Sequence, residues 1–136
     1  MQFTISQDHD IVAAMATNTV EVATRPDTYE LTRSDELVAK YFRVLGDPLR
    51  LAVLRLLHER GELSVEDIRQ GLGCKQARLS NQLACLRWCD FVTTRRDGNR
   101  IYYSISEPTI PELLRLADLA LRNQAERIAA CTRIED

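Results

Sequence analysis

Gln76–Cys89, QARLSNQLACLRWC, is the stretch on which the reading of the whole chain turns. Wound as a helix at about 100° per residue with Leu79 at zero, it places Leu83 at about 40° and Leu86 at about 340°, a narrow apolar stripe. Arg78 falls at about 260° and Asn81 at about 200°, while Cys85 at about 240° and Cys89 at about 280° continue that side in the second half. One side seats the helix on a small core. The other carries groups able to read base edges and, further along, two thiols.

Immediately upstream, Ser64–Leu72 reads as a short helix. Ser64 with Asp67 three residues on resembles a capping box, and Val65, Ile68 and Leu72 form its inner face. Gly71–Cys74 supplies the turn. Two short helices joined by a glycine-containing turn, the second polar outside and basic at its start, predict a helix-turn-helix. Further upstream, Asp47-Pro48 is a helix start, a capping acid followed by proline at the first helical position. Leu49–Arg60 is too apolar for a surface helix and predicts the central core helix, stopped by Gly61. Before it, Ser34 is the expected cap of a helix with Leu37, Val38, Tyr41, Phe42 and Leu45 on its apolar face, ended by Gly46. Residues 1–33 show no sustained period and read as a mobile or loosely packed acidic arm, with a short helical piece near Ile11–Met15.

Downstream of Cys89 the pattern changes. Phe91–Arg96 and Arg100–Ile105 are rich in β-branched and aromatic residues and flank Asp97-Gly98-Asn99, a hairpin signal. They predict a two-stranded wing with Arg95, Arg96 and Arg100 near its tip. A final helix of about five turns is expected to run from near Pro108 and Pro111 through Leu113, Leu114, Leu116, Ala117, Ala120, Leu121 and Ile128. It is longer than the core needs, so pairing with a second copy is expected. The expected fold is thus mostly α with a small β-hairpin wing, a winged helix-turn-helix at 34–131, homodimeric through terminal helices, with a tail at 132–136.

Composition agrees with a single domain. The 136 residues are 45% hydrophobic and 28% charged, and no apolar run approaches the length of a bilayer span, which points to a cytoplasmic chain without a membrane partner. The net charge of −2 hides an uneven distribution. Residues 1–36 hold seven acids against two bases, whereas 75–100 hold six bases against two acids, a local excess suited to phosphate contact. Gln76, Arg78, Ser80 and Asn81 occupy the helix turns that enter the major groove, and Arg, Asn and Gln are the types that pair with guanine and adenine edges. Lys75, Arg95, Arg96 and Arg100 are the expected phosphate contacts. The partner so implied is double-stranded operator DNA. No acid, base and nucleophile constellation and no phosphate-binding glycine loop appears, so neither an enzyme nor a small-molecule substrate is expected.

DPLRLAVLRLL in the core helix, LSNQLACLR in the recognition helix and DGNRIYYSI in the wing resemble, in order and spacing, the ArsR/SmtB family of winged helix-turn-helix repressors over residues 36–131. The resemblance implies a homodimer that binds an operator and releases it when an inducer, often a metal ion, binds. Arsenic sensors of that family carry C-x-C before the turn, where this chain has ELSVEDI with Ser64 and Glu66. Zinc sensors use Asp and His on the last helix, where this chain offers Glu107 and Asp118 and no histidine. The C-x-x-x-C of Cys85 and Cys89 instead resembles the cadmium- and lead-sensing CmtR branch, which implies Cys131, from the partner subunit, as a third thiolate.

The chemistry of the pair is compatible with that implication. Residues at i and i+4 have Cβ atoms about 5–6 Å apart, and thiolates select soft ions, so Cd(II) or Pb(II) is the expected inducer, with Zn(II) as an alternative ion that normally asks for four ligands. Cys74 reads as a turn residue, since eleven residues of helix put it roughly 16 Å from Cys85. Two other readings stay open on sequence alone: a thiol-redox switch on the same DNA-binding fold, and a winged helix used as a protein-interaction module.

Overall fold

The computed structural model describes residues 30–134, so the arm assigned to 1–33 and its short helical piece lie, apart from residues 30–33, outside the described residues. The described residues fall into two units that divide between Arg43 and Val44. The first helix, α1 (Arg33–Leu45), runs through that division. Its cap is Thr32 rather than Ser34. The Asp35 N–H donates to Thr32 Oγ1 at 3.2 Å while Asp35 Oδ2 accepts from the Thr32 N–H at 2.9 Å, a reciprocal box that the T-x-x-D spacing permits and that Ser34, two residues later, could not close.

The second unit is built on α2 (Pro48–Arg60), as the Asp47-Pro48 start predicts. Asp47 Oδ1 accepts from the N–H groups of Leu49 and Arg50 at 2.9 and 3.0 Å, proline takes the first helical position, and Gly61 at φ 79° ends the helix with its N–H on the Leu57 carbonyl. Val53, Leu54, Leu56 and Leu57 are buried, and α3, α4, β3 and α5 all pack on this helix. The chain then enters β1 (Leu63–Ser64), α3 (Val65–Leu72), α4 (Gln76–Trp88), β2 (Val92–Asp97), β3 (Arg100–Ile105), α5 (Thr109–Leu121) and α6 (Ala125–Ala129).

Ser64 caps α3 with Oγ accepting the Asp67 N–H at 3.1 Å, but the return arm differs from a full box: the Asp67 carboxylate accepts from the Ser64 hydroxyl at 2.8 Å. Asp is one methylene shorter than the usual Glu, and the Ser64 backbone is engaged in strand pairing with Tyr102. The wing is therefore three-stranded, in the antiparallel order β1-β3-β2, where two strands were expected. Between β2 and β3 the register closes on Asp97 and Arg100 with Gly98 and Asn99 as the two-residue loop, Gly98 at φ 60° taking the position that needs glycine.

The last helix is shorter than the apolar pattern predicts. After Leu121 the N–H groups of Asn123 and Gln124 bond three residues back, to Ala120 and Leu121, and α6 restarts as a separate piece. The physical reason lies in Arg122-Asn123-Gln124, which interrupts the apolar spacing that would hold a continuous helix to the body. Leu116, Leu119 and Leu121 of α5 and Ile128 of α6 are exposed.

The end of α4 shows one strained residue. Asp90 sits at φ 58°, its N–H bonds the Arg87 carbonyl at 3.1 Å and the Phe91 N–H bonds the Leu86 carbonyl at 2.9 Å, which is a Schellman closure with aspartate where glycine is usual. The left-handed conformation costs a non-glycine residue about 1–2 kcal/mol, less for Asp than for most. Asp90→Gly is expected to raise unfolding free energy by up to about 1 kcal/mol and Asp90→Val to lower it, read from urea denaturation at unchanged m value.

Acid stability follows from arginine-held carboxylates. Glu66 accepts from Arg69 at 2.7 and 3.0 Å and from Gln70 at 2.9 Å, bonds that lower its pKa from 4.5 to about 2. The Arg55 guanidinium likewise lowers the pKa of Asp118. For a carboxylate whose folded pKa is depressed, the stabilisation is complete above the unfolded value and vanishes as pH falls through the folded one. Thermal melting followed across pH should therefore fall between about 4.5 and 2, and Glu66→Gln should flatten that fall.

Candidate nucleic-acid interface and thiol pair

The site is carried by α4. Leu79, Leu83 and Leu86 are buried, as the angular spacing predicts. With that stripe inside, Gln76, Arg78, Ser80 and Asn81 are all exposed, and so is Lys75 at the N-cap, where no side chain closes the first turn. The open N–H groups of that turn and the Lys75 ammonium are a suitable phosphate neighbour.

The wing contributes unequally. Arg96 and Arg100 are exposed, with Arg96 Nε donating to the Gly98 carbonyl at 3.2 Å. Arg95 is held: its guanidinium bonds both carboxylate oxygens of Glu62, at 2.6 to 3.2 Å, and lies 4.7 Å above the ring of Tyr102, its register partner on β3. A phosphate contact by Arg95 would have to compete with that pair for the guanidinium. The sequence carried no signal for it, since Glu62 and Arg95 meet only when β1 joins the sheet.

Trp88, the sole tryptophan, is 89% exposed at the last turn of α4 and borders, with Ser80, Arg87 and Tyr103, a cleft of about 530 Å³ between α4 and the sheet. Among the described residues nothing covers its ring. Its neighbour Cys89 closes the helix, with its N–H on the Cys85 carbonyl at 3.1 Å, so the turn joining the two cysteines is regular.

The thiols are less open than a wholly outward face would make them: Cys85 and Cys89 are half-buried on the flank of α4. Cys85 Sγ accepts from Arg50 Nη1 at 3.7 Å, and the same nitrogen donates to Gln82 Oε1 at 2.9 Å. Cys131, also half-buried, follows α6. Among the described residues no three His, Cys, Asp or Glu side chains come together as a metal site, so one protomer does not join Cys131 to the pair. Cys74, half-buried, closes the turn after α3 with its N–H on the Arg69 carbonyl at 3.4 Å.

The acids on the last helix are occupied otherwise. Asp118 forms a two-point ion pair with Arg55 of α2 at 2.7 Å for each bond, and Glu107 accepts from the N–H and hydroxyl of Thr109 at 3.1 and 2.7 Å, opening α5. Asp118 so engaged serves the α2–α5 packing, and Glu107 the start of α5. Among the described residues no helix is long and apolar enough to cross a membrane.

Comparison with known proteins bears on this geometry. The model for the arsR family of bacterial regulatory proteins matches residues 47–94, from the cap of α2 into β2. The chain is 37% identical over 117 residues to a probable mercury resistance operon repressor of Streptomyces lividans, covering 85% of this chain and 86% of that protein. The crystal structure of Mycobacterium tuberculosis Rv0081 superimposes with a TM-score of 0.64 at 38% identity, covering 72% of this chain and 99% of that one. The homodimeric winged helix-turn-helix DNA-binding domain Mb0332 of Mycobacterium bovis does so with a TM-score of 0.58 at 30% identity, covering 70% and 90%.

The unequal wing gives a graded expectation. In a salt titration of duplex binding, Arg96→Ala and Arg100→Ala should each reduce the slope of log affinity against log salt by about 1, whereas Arg95→Ala should change it little. Arg78→Ala and Asn81→Ala should cost about 1–3 kcal/mol each at their own base pairs. An Arg95→Ala slope change as large as that of Arg96→Ala would show that the Glu62 pair opens on DNA.

Proposed function

This chain belongs to the arsR family of bacterial regulatory proteins, and on that premise we propose that it is a homodimeric repressor whose hold on operator DNA is released by a soft metal ion at Cys85 and Cys89. Membership makes it a transcriptional regulator of a non-enzymatic, winged helix-turn-helix family. The observation that carries the finer reading is that the exposed Arg78 and Asn81 and the half-buried Cys85 and Cys89 belong to one thirteen-residue helix and its cap. What happens at the thiols is felt by the reading groups through a rigid rod.

The donor set fits a thiophilic ion. Two thiols one helical turn apart can grip one soft cation, and Asp118 and Glu107, the acids nearest a hard-ion alternative, are committed to Arg55 and Thr109. A bound ion would supply strong thiolate coordination there. The third ligand in this reading is the partner subunit's Cys131, which agrees with the absence of a three-ligand cluster among the described residues of one protomer. Cd(II) and Pb(II) suit a three-thiolate set, and the relative named for mercury resistance supports the same soft class. Dimerisation is supported by the exposed Leu116 and Leu119, which share one face of α5 that a second copy would cover, and by the homodimeric relative. Two recognition helices about one helical turn of DNA apart, roughly 34 Å, then read two half-sites. The basic 75–100 segment binds phosphate from Lys75, Arg96 and Arg100. Redox switching ranks below metal binding because a disulfide between residues i and i+4 is poorly matched to the regular turn that Cys85 and Cys89 share.

The test uses reduced full-length protein and a duplex that it enriches from a random pool. The protein should sediment as a dimer, and Cd(II) should weaken duplex affinity at least about tenfold, within the 5- to 150-fold range usual for allosteric coupling. Cys85→Ser should abolish that response and leave metal-free affinity within about twofold of wild type. Affinity unchanged by Cd(II), Pb(II) and Hg(II) alike would contradict the reading.

A further inference from the structure

Arg50 lies in the first turn of α2, where the Asp47 cap holds its backbone N–H at 3.0 Å. Its guanidinium bridges α1 and α4. Nε donates to the Val44 carbonyl at 2.6 Å, and Nη1 donates both to Gln82 Oε1 at 2.9 Å and to Cys85 Sγ at 3.7 Å. Gln82 and Cys85 are three residues apart and share one face of α4. A single charged fork thus ties the start of α2 to the middle of the recognition helix, one residue beyond Asn81.

We propose that Arg50 is the positioning residue through which occupancy of Cys85 reaches the DNA-reading turns. The inference rests on the reading that Cys85 takes a soft metal ion. A thiol is a weak acceptor, so the sulfur competes poorly with Gln82 for Nη1. A metal ion would displace the thiol proton to solvent, and three thiolates on one divalent ion carry a net negative charge, which attracts a guanidinium that cannot give up its own charge. The guanidinium is then drawn onto Sγ. Because Nη1 is shared with Gln82, that movement releases the Gln82 tether on α4. The helix keeps its leucine stripe but loses the link that fixes its rotation about that stripe, which displaces Arg78 and Asn81 from the orientation that meets base edges.

A side chain that merely supports the fold would weaken DNA binding equally with and without metal. A coupling residue changes the ratio, and that ratio is the readout. With CdCl2 as the probe, Arg50→Met should keep the ultraviolet thiolate–cadmium band at wild-type stoichiometry. Its metal-free duplex affinity should drop at least about fivefold toward that of the cadmium-loaded wild type, and cadmium should weaken it by no more than about twofold further. Arg50→Lys, which keeps the charge but lacks the planar fork, should fall between the two. Should Arg50→Met fail to give a native melting transition, Gln82→Met, which leaves the Val44 bond, should lower the cadmium ratio in the same direction. The inference is overturned if a folded Arg50→Met or Gln82→Met variant keeps the wild-type cadmium ratio. If wild type itself shows no cadmium band and no cadmium effect, the metal reading falls and this inference with it.

Discussion

Three buried leucines, Leu79, Leu83 and Leu86, hold the recognition helix to the body, and the rest of the site depends on that stripe. Burial of a leucine contributes about 1.5–3 kcal/mol, so the stripe outweighs the weak N-terminal capping by Lys75, which has no side-chain bond to offer. It also fixes a rotation. With the leucines inside, Gln76, Arg78, Ser80 and Asn81 face solvent at one end of the helix and the two cysteines lie on its flank at the other. The Schellman closure through Asp90 and Phe91 then turns the chain sharply into β2, so the wing is anchored to the same helix.

That arrangement gives the proposed regulation its physical content. A rigid helix passes a small rotation at its C-terminal half to its N-terminal half without needing a long path through the protein. The hydrogen-bonded fork of Arg50 supplies the restraint that such a rotation would have to overcome. A coupling of about 1–3 kcal/mol is the scale of one or two such charge-assisted bonds, so a local event at one sulfur is sufficient in magnitude. The ion pair between Arg55 and Asp118 works differently: it joins α2 to α5 and so links the core helix to the helix that presents the exposed leucines.

Much of this was legible in the sequence because the signals are local. The leucine spacing, the Asp47-Pro48 start, the Gly61 stop and the Asp97-Gly98-Asn99 turn each depend on a few neighbouring residues, and each is found where expected. What escaped were features made by distant segments. Leu63 and Ser64 form a strand only because Tyr102 and Tyr103 lie beside them, and the withdrawal of Arg95 into a pair with Glu62 follows from that strand. The Arg50–Cys85 contact spans 35 residues and has no counterpart in any periodicity. The final helix was overextended because an apolar residue at 128 kept the pattern alive across Arg122-Asn123-Gln124, and the cap of α1 was misplaced by two residues because Ser34 stands directly before Asp35 and Glu36 whereas Thr32 bonds an acid three residues on. Which polar groups of α4 face solvent was readable from angle alone; which wing arginine is held, and what faces Cys85, required the fold.

The central claim is that reading and sensing share α4, and the lone tryptophan beside Cys89 reports on it directly. Trp88 emission and the anisotropy of a labelled duplex can be recorded on one sample as Cd(II) is added to the protein–DNA complex. The account predicts that both signals change over the same range of added metal and saturate together, and that neither moves in Cys85→Ser. Quenching of Trp88 with the duplex still fully bound would contradict it.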